Sequence, residues 1–148
     1  MKTVGNCFSI LLLLSSAASA EEEGALLEVR VEGVEASKGG SIRCAVFNEA
    51  GASGFPSTPA KAVDRAVFKV SAAENRTQLR VPAKGVYAVS CSHDANDNEK
   101  MDTNFLGIPK EGWGVSKGVR PSMRAPRFEE AKFDVTGSPQ AVVLRIGY

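Results

Sequence analysis

From Ala25 to Val34 (ALLEVRVEGV), Leu27, Val29 and Val31 alternate with Glu28, Arg30 and Glu32. A period of two puts one set on each face of an extended chain, so this stretch predicts a half-buried strand. The turn residues of Ala36–Gly40 (ASKGG) separate it from a second strand, Ser41–Phe47. Asn48–Pro59 (NEAGASGFPSTP) has loop chemistry, with glycine, serine and two prolines. Ala60–Val70 is ambiguous: it opens with good helix formers, then Val67, Phe68 and Val70 favour a strand. Thr77–Val81 and Val86–Cys91 predict two further strands, with Leu79, Val81, Tyr87, Val89 and Cys91 inward. Ser92–Arg127 reads as a long irregular stretch, and Phe128–Val135 and Gln140–Ile146 as closing strands.

About seven short strands, turn signals between them and no convincing long helix predict an all-β fold. Its expected form is a single-domain antiparallel β-sandwich of the immunoglobulin or transthyretin-like kind; a small closed barrel is the alternative. Tyr87, soon after Gly85 at the start of a strand, is similar to the tyrosine corner of such sandwiches. It stands four residues before Cys91, where an immunoglobulin domain has two.

The first twenty residues fall outside this pattern. MKTVGNCFSILLLLSSAASA has a lysine, an apolar run from Phe8 to Leu14 and small residues ending in Ala18-Ser19-Ala20. That is the layout of a cleaved secretory signal, and the run is far short of the ~20 residues a membrane-spanning helix needs. Residues 1–20 are therefore expected to be removed, leaving a periplasmic or secreted domain over 21–148 with no integral membrane anchor. Cys7 precedes the apolar run and would leave with the signal rather than carry a lipid.

Cleavage takes one lysine and no acid from a chain with 18 basic and 17 acidic residues. A net charge near zero argues against nucleic acid as a partner and against a general electrostatic membrane binder. Cys44 and Cys91 both fall on the apolar face of a predicted strand, which admits a disulfide or two free buried thiols. In an oxidising compartment the pair is expected to close, a loop of roughly 50 residues valued at ~4 kcal/mol by the chain-entropy model. No C-x-x-C spacing supports redox catalysis.

The stretch 92–127 carries the candidate chemistry, because irregular segments beyond ~12–15 residues in a compact domain are usually functional or disordered. Phe105, Leu106, Ile108, Trp113 and Val115 argue against disorder and predict a loop folded back over the sandwich by its own apolar groups. In HDANDNEKMDTN, Asp94, Asn96, Asn98 and Asp102 offer oxygens in the alternating spacing of a calcium loop. Glu99 replaces the EF-hand glycine and Phe105 the closing glutamate, so any calcium site would need another ligand, such as Glu111. The other reading is a turn in which the Asp and Asn side chains cap their own backbone. His93 beside Asp94 suggests acid–base hydrolysis only weakly, with neither nucleophile nor pocket in view. Zinc lacks a fourth Cys or His ligand.

The second half of the stretch is basic. Lys110, Glu111, Trp113, Arg120 and Arg124 form a candidate ligand-binding set, with Trp113 stacking on an envelope glycan or the arginines clamping an anionic group. The alternative buries Trp113 as an anchor and pairs the arginines with the acidic half.

Tyr87-Ala88-Val89, His93-Asp94, Asn96, Asn98, Asp102-Thr103-Asn104, Gly107-Ile108-Pro109-Lys110-Glu111-Gly112-Trp113 and the closing Pro126, Phe128, Ala131 and Phe133 together resemble DUF2141, a family of uncharacterised exported bacterial proteins. Gly54-Phe55-Pro56 extends the likeness. This chain departs from the family pattern at Glu99, where glycine is usual, at Trp113, where tyrosine is commoner, and at Ala125-Pro126, where Gly-Pro is usual. The resemblance implies an exported β-sandwich and supplies no reaction; in a bacterium the Asn75-Arg76-Thr77 sequon is idle. The expected function is a non-enzymatic binding module working through loop 92–127, with a purely structural envelope module or a His93/Asp94 hydrolase as alternatives.

Overall fold

The computed structural model of the protein describes residues 23–148, so the expected secretory signal lies outside the described residues. Eight strands form two sheets. In the first sheet β1 (Ala25–Glu32) is central, antiparallel to β4 (Asn75–Val81) and parallel to β8 (Gln140–Arg145). The second sheet runs β3 (Asp64–Lys69), β2 (Ser41–Phe47), β5 (Gly85–Asp94), β6 (Trp113–Val115), all neighbours antiparallel. The short β7 (Phe133–Val135) pairs with the start of β5. The expected all-β sandwich is thus present, with one parallel pair in an otherwise antiparallel architecture.

The alternation in β1 does what its period requires. Leu27, Val29 and Val31 face the second sheet, and with Ile42, Val46, Leu79, Val89 and Leu144 they form the inter-sheet core. Glu28 and Arg30 face solvent. Cys44 and Cys91 are direct cross-strand partners in β2 and β5 and are joined by a disulfide, their Cα atoms 4.1 Å apart. Tyr87 donates its hydroxyl proton to the Ala83 carbonyl (2.9 Å), four residues upstream, as a tyrosine corner requires.

The second sheet is buried on both faces, which explains why β2 is almost continuously buried. Its outer face carries Ala45, Phe47 and Ala88, covered by Phe55, Val115, Phe128 and Ala131. Phe47, Phe55 and Phe128 pack edge to face in a chain, at centroid distances of 5.5 and 6.2 Å. Ser116 clasps this layer to β5: its Oγ accepts the Val89 N–H (3.0 Å) and donates to the Ala131 carbonyl (2.7 Å).

Three stretches differ from the sequence reading. Ala60–Val70 resolves into a 3₁₀ turn (Pro59–Lys61) followed by β3. Phe128–Val135 is not one strand: it is a single helical turn, α1 (Phe128–Ala131), then β7. Phe128 and Ala131, three apart, share the buried side of that turn, so two periodicities overlap within eight residues. Finally, β5 continues to Asp94, because Ser92, His93 and Asp94 pair with Arg43, Ile42 and Ser41 of β2 although their side chains are polar.

Candidate functional site

The extension of β5 decides how His93 and Asp94 relate. Neighbours on a strand project to opposite faces, so the two side chains diverge. His93 lies on the inner side with no exposed surface. Its Nε2–H donates to the Gly39 carbonyl (2.6 Å), and its Nδ1 is hydrogen-bonded with the Tyr148 hydroxyl (2.6 Å). The Tyr148 oxygen in turn accepts the Glu35 N–H (2.9 Å), and Lys38 sits over its ring. Both imidazole nitrogens are occupied in joining β5, the 35–40 turn and the last residue. Gly40 makes the approach possible: a Cβ there would lie 2.1 Å from the Asp94 carbonyl oxygen.

Asp94 turns outward into the loop, yet it is also buried. Its Oδ1 accepts the Asn98 N–H (3.1 Å), its Oδ2 the Glu99 N–H (2.9 Å), and Arg43 stands 3.6 Å away. Glu111 does the same from the segment leading into β6: Oε1 accepts the Ala95 N–H (3.0 Å) and Oε2 the Asp102 N–H (3.1 Å). Two buried carboxylates thus hold four backbone amides, closing residues 94–111 like a clamp. Asp97 and Glu99 have positive φ (55° and 67°). The left-handed conformation at Glu99 is one that favours glycine, and the Asp94 carboxylate secures it.

The four oxygen-bearing residues singled out by spacing do come together. Asn96 and Asn98 donate their amides to the two oxygens of Asp102 (2.7 and 2.9 Å). Asn96 Oδ1 accepts the Asn98 N–H (3.2 Å), and Asn98 Oδ1 accepts the Lys100 N–H (2.9 Å), each an Asx turn. Every one of these side chains therefore has an N–H donor on an oxygen that calcium would use. Among the described residues no group of three or more His, Cys, Asp or Glu side chains is arranged to hold a metal ion.

Above the clamp the chain makes a narrow turn, pinned by a bridge between Thr103 and Pro109. Asn104 organises it: Oδ1 accepts the N–H groups of Leu106 (2.9 Å) and Ile108 (3.0 Å), and its carbonyl accepts from Gly107 (2.9 Å). Three of the five apolar residues expected to pin this loop to the sandwich point away from it. Phe105 is 95% exposed, Leu106 68% and Ile108 55%, with Met101 beside them. The anchoring falls to the other two, Trp113 and Val115, in β6.

The basic half is likewise spent on structure. Arg120 stacks on Trp113, its guanidinium carbon 4.2 Å from the ring centroid, and donates to the Trp113 (2.9 Å) and Gly147 (2.8 Å) carbonyls. Trp113 and Gly147 exchange backbone hydrogen bonds (3.0 Å each), stitching β6 to the segment after β8. The glycines of EGWG fit this seam: a Cβ at Gly114 would lie 2.2 Å from the Arg145 carbonyl oxygen. Arg124 grips Glu130 through both guanidinium nitrogens (2.8 and 2.6 Å). Together with the Arg127 N–H, it pulls the Glu130 carboxyl down to a pKa of about 2. The pairing expected between the two half-loops is replaced by partners elsewhere: Glu130 for Arg124, Arg43 for Asp94, and Lys69 for Asp97, whose carboxyl is held below its ordinary range. Of the candidate ligand-binding set only Lys110 stands free at the surface; Glu111 is buried in the clamp.

The family model described as "Uncharacterized protein conserved in bacteria (DUF2141)" matches residues 29–143. The chain belongs to the DUF2141 family. The matched region of this DUF2141 protein includes both clamp carboxylates, the exposed turn and the Trp113 side of the seam. No curated protein and no solved structure matches the chain. Among the described residues no helix is long and apolar enough to cross a membrane. The closed Cys44–Cys91 bridge fits an oxidising, non-cytoplasmic compartment.

Sequence reasoning missed Arg43, Asn104, Tyr148 and Glu130. Arg43 and Tyr148 lie 51 and 55 residues from Asp94 and His93, and no spacing rule connects them. Asn104 carried a local signal, since Asn-x-x-Gly is turn chemistry.

Proposed function

We propose that this protein is an exported, non-enzymatic binding module whose working surface is the 92–127 loop. One observation carries the reading: the buried polar groups of the loop are satisfied within the protein, while three large apolar side chains at its tip are left outside. Burying such groups is the dominant source of folding free energy, so a chain that rigidly holds them in water has a use for them there. Catalysis has no comparable support, because both nitrogens of His93 are occupied and the ring is closed to substrate. Export rests on the N-terminal signal pattern and the disulfide.

A purely architectural role is the second reading, favoured by the same complete satisfaction of the buried polar groups. Retention on an isolated bacterial envelope fraction separates the two. The oxidised chain from Glu21 onward is compared with Phe105→Ser/Leu106→Ser and with a control on the opposite sheet, Val143→Ser. Loss of retention confined to the tip variant supports a binding loop. Equal retention of all three proteins supports architecture.

A further inference from the structure

The turn Met101–Lys110 keeps most of the backbone amides at its tip hydrogen-bonded within the protein. A lipid interface penalises every backbone N–H or C=O that cannot find a partner. Of the six amides from Asn104 to Lys110, five donate within the turn, Phe105 being the exception, and residue 109 is a proline with no amide to satisfy. What projects beyond these bonds is Phe105, Leu106 and Ile108, with no polar side chain among them.

The base of the turn carries two lysines beside the acids of the clamp. Lys100 and Lys110 flank it, both exposed, and among the described residues neither has a carboxylate within ion-pairing distance. The acids nearby are engaged: Asp97 by Lys69, Glu99 by Arg43 at 3.9 Å, and Asp102 by two amides. Long cationic side chains around an apolar tip match the level of lipid phosphates when the tip enters the acyl boundary.

We propose that the 101–110 turn is a membrane-docking tip, inserting Phe105, Leu106 and Ile108 into a lipid surface with Lys100 and Lys110 at the headgroups. This deepens the binding-module reading and rests on it. The near-zero net charge argues against adsorption by long-range attraction, and apolar insertion does not need it. A protein partner fits less well. A stable protein interface takes ~800 Å² from each side and about one hydrogen bond per 100–200 Å². A single turn is small for that, and most of its amides are already committed.

The test is cosedimentation of the oxidised chain from Glu21 onward with protein-free vesicles. One set mixes phosphatidylglycerol with phosphatidylethanolamine, and the other is phosphatidylcholine alone. Wild type is expected to partition onto the anionic vesicles. Phe105→Ser/Leu106→Ser is expected to lower that partition by at least about tenfold, since each lost side chain removes a large apolar burial. Lys100→Gln/Lys110→Gln should weaken binding to anionic vesicles several-fold and leave any binding to phosphatidylcholine unchanged. Thermal unfolding of each variant beside wild type confirms that the fold is intact. Wild type remaining in the supernatant with both vesicles overturns the proposal, as does a serine variant that sediments like wild type. Self-association lost in the serine variant without vesicle binding would assign the tip to a second copy and also overturn it. Tip-dependent retention on the envelope fraction together with no vesicle binding would remove the lipid proposal and leave the binding-module reading standing.

Discussion

Between Asp94 and Glu111 two buried carboxylates hold four backbone amides, and Phe105, Leu106 and Ile108 face outward. Between Gly112 and Ala131 Trp113, Val115, Phe128 and Ala131 pack against the sheet, and Arg120 and Arg124 are held by carbonyls and a carboxylate. Both segments hang from β5, and neither contains much regular structure. The second is an ordinary outer layer, stabilised by burial like the rest of the core. The first gains little from burial and depends on charge-assisted hydrogen bonds to two carboxylates. A loop stabilised by polar bonds keeps its apolar residues available, and this makes the tip a surface rather than part of the core.

The contrast gives different ways of breaking the two segments. Phe128→Ala removes the aromatic that closes the outer layer, and is expected to cost about 3–5 kcal/mol in urea unfolding. Asp94→Ala leaves two amides without their acceptor in a buried position and takes the nearer carboxylate from Arg43, and is expected to cost about 3 kcal/mol. The two losses differ in kind. Limited proteolysis of the Asp94 variant should cut first between residues 96 and 110, whereas the Phe128 variant should open around 113–131.

A third test concerns pH. Glu130 has a carboxyl pKa depressed to about 2, mainly by Arg124 and then by the Arg127 amide. A depressed carboxyl contributes its stability in full above the unfolded-state value of about 4.5 and loses it as pH falls toward 2. Glu130 should therefore titrate near pH 2 by carboxyl chemical shift, and Arg124→Gln should move that midpoint upward. The smallest effect is expected at the tip. Phe105→Ser/Leu106→Ser should change stability by no more than about 0.5 kcal/mol, as surface substitutions away from buried features do. A large loss there would mean that the tip packs against the domain.

Much of this fold is legible in the chain. The alternation in Ala25–Glu32 and Ser41–Phe47 gives the strands and their inward faces, and the matched settings of Cys44 and Cys91 anticipate their bridge. The reading fails where long-range pairing overrides local chemistry. Ser92–Asp94 look like loop residues until β2 lies beside them, and that pairing turns His93 and Asp94 to opposite faces. Asp94, Asn96, Asn98 and Asp102 were visible as a group, but alternating oxygens look alike whether they face a cation or backbone N–H groups. The outward direction of Phe105, Leu106 and Ile108 was not visible, because apolar composition alone does not say which way a turn points its side chains.

Amide hydrogen exchange tests the carboxylate clamp most directly. In wild type the N–H groups of Ala95, Asn98, Glu99 and Asp102 are expected to exchange slowly despite lying outside any strand. Asp94→Ala should free Asn98 and Glu99, while the Trp113 amide, bonded to Gly147, stays protected. Rapid exchange of all four amides in the wild-type protein would contradict a clamped loop and, with it, a rigidly presented tip.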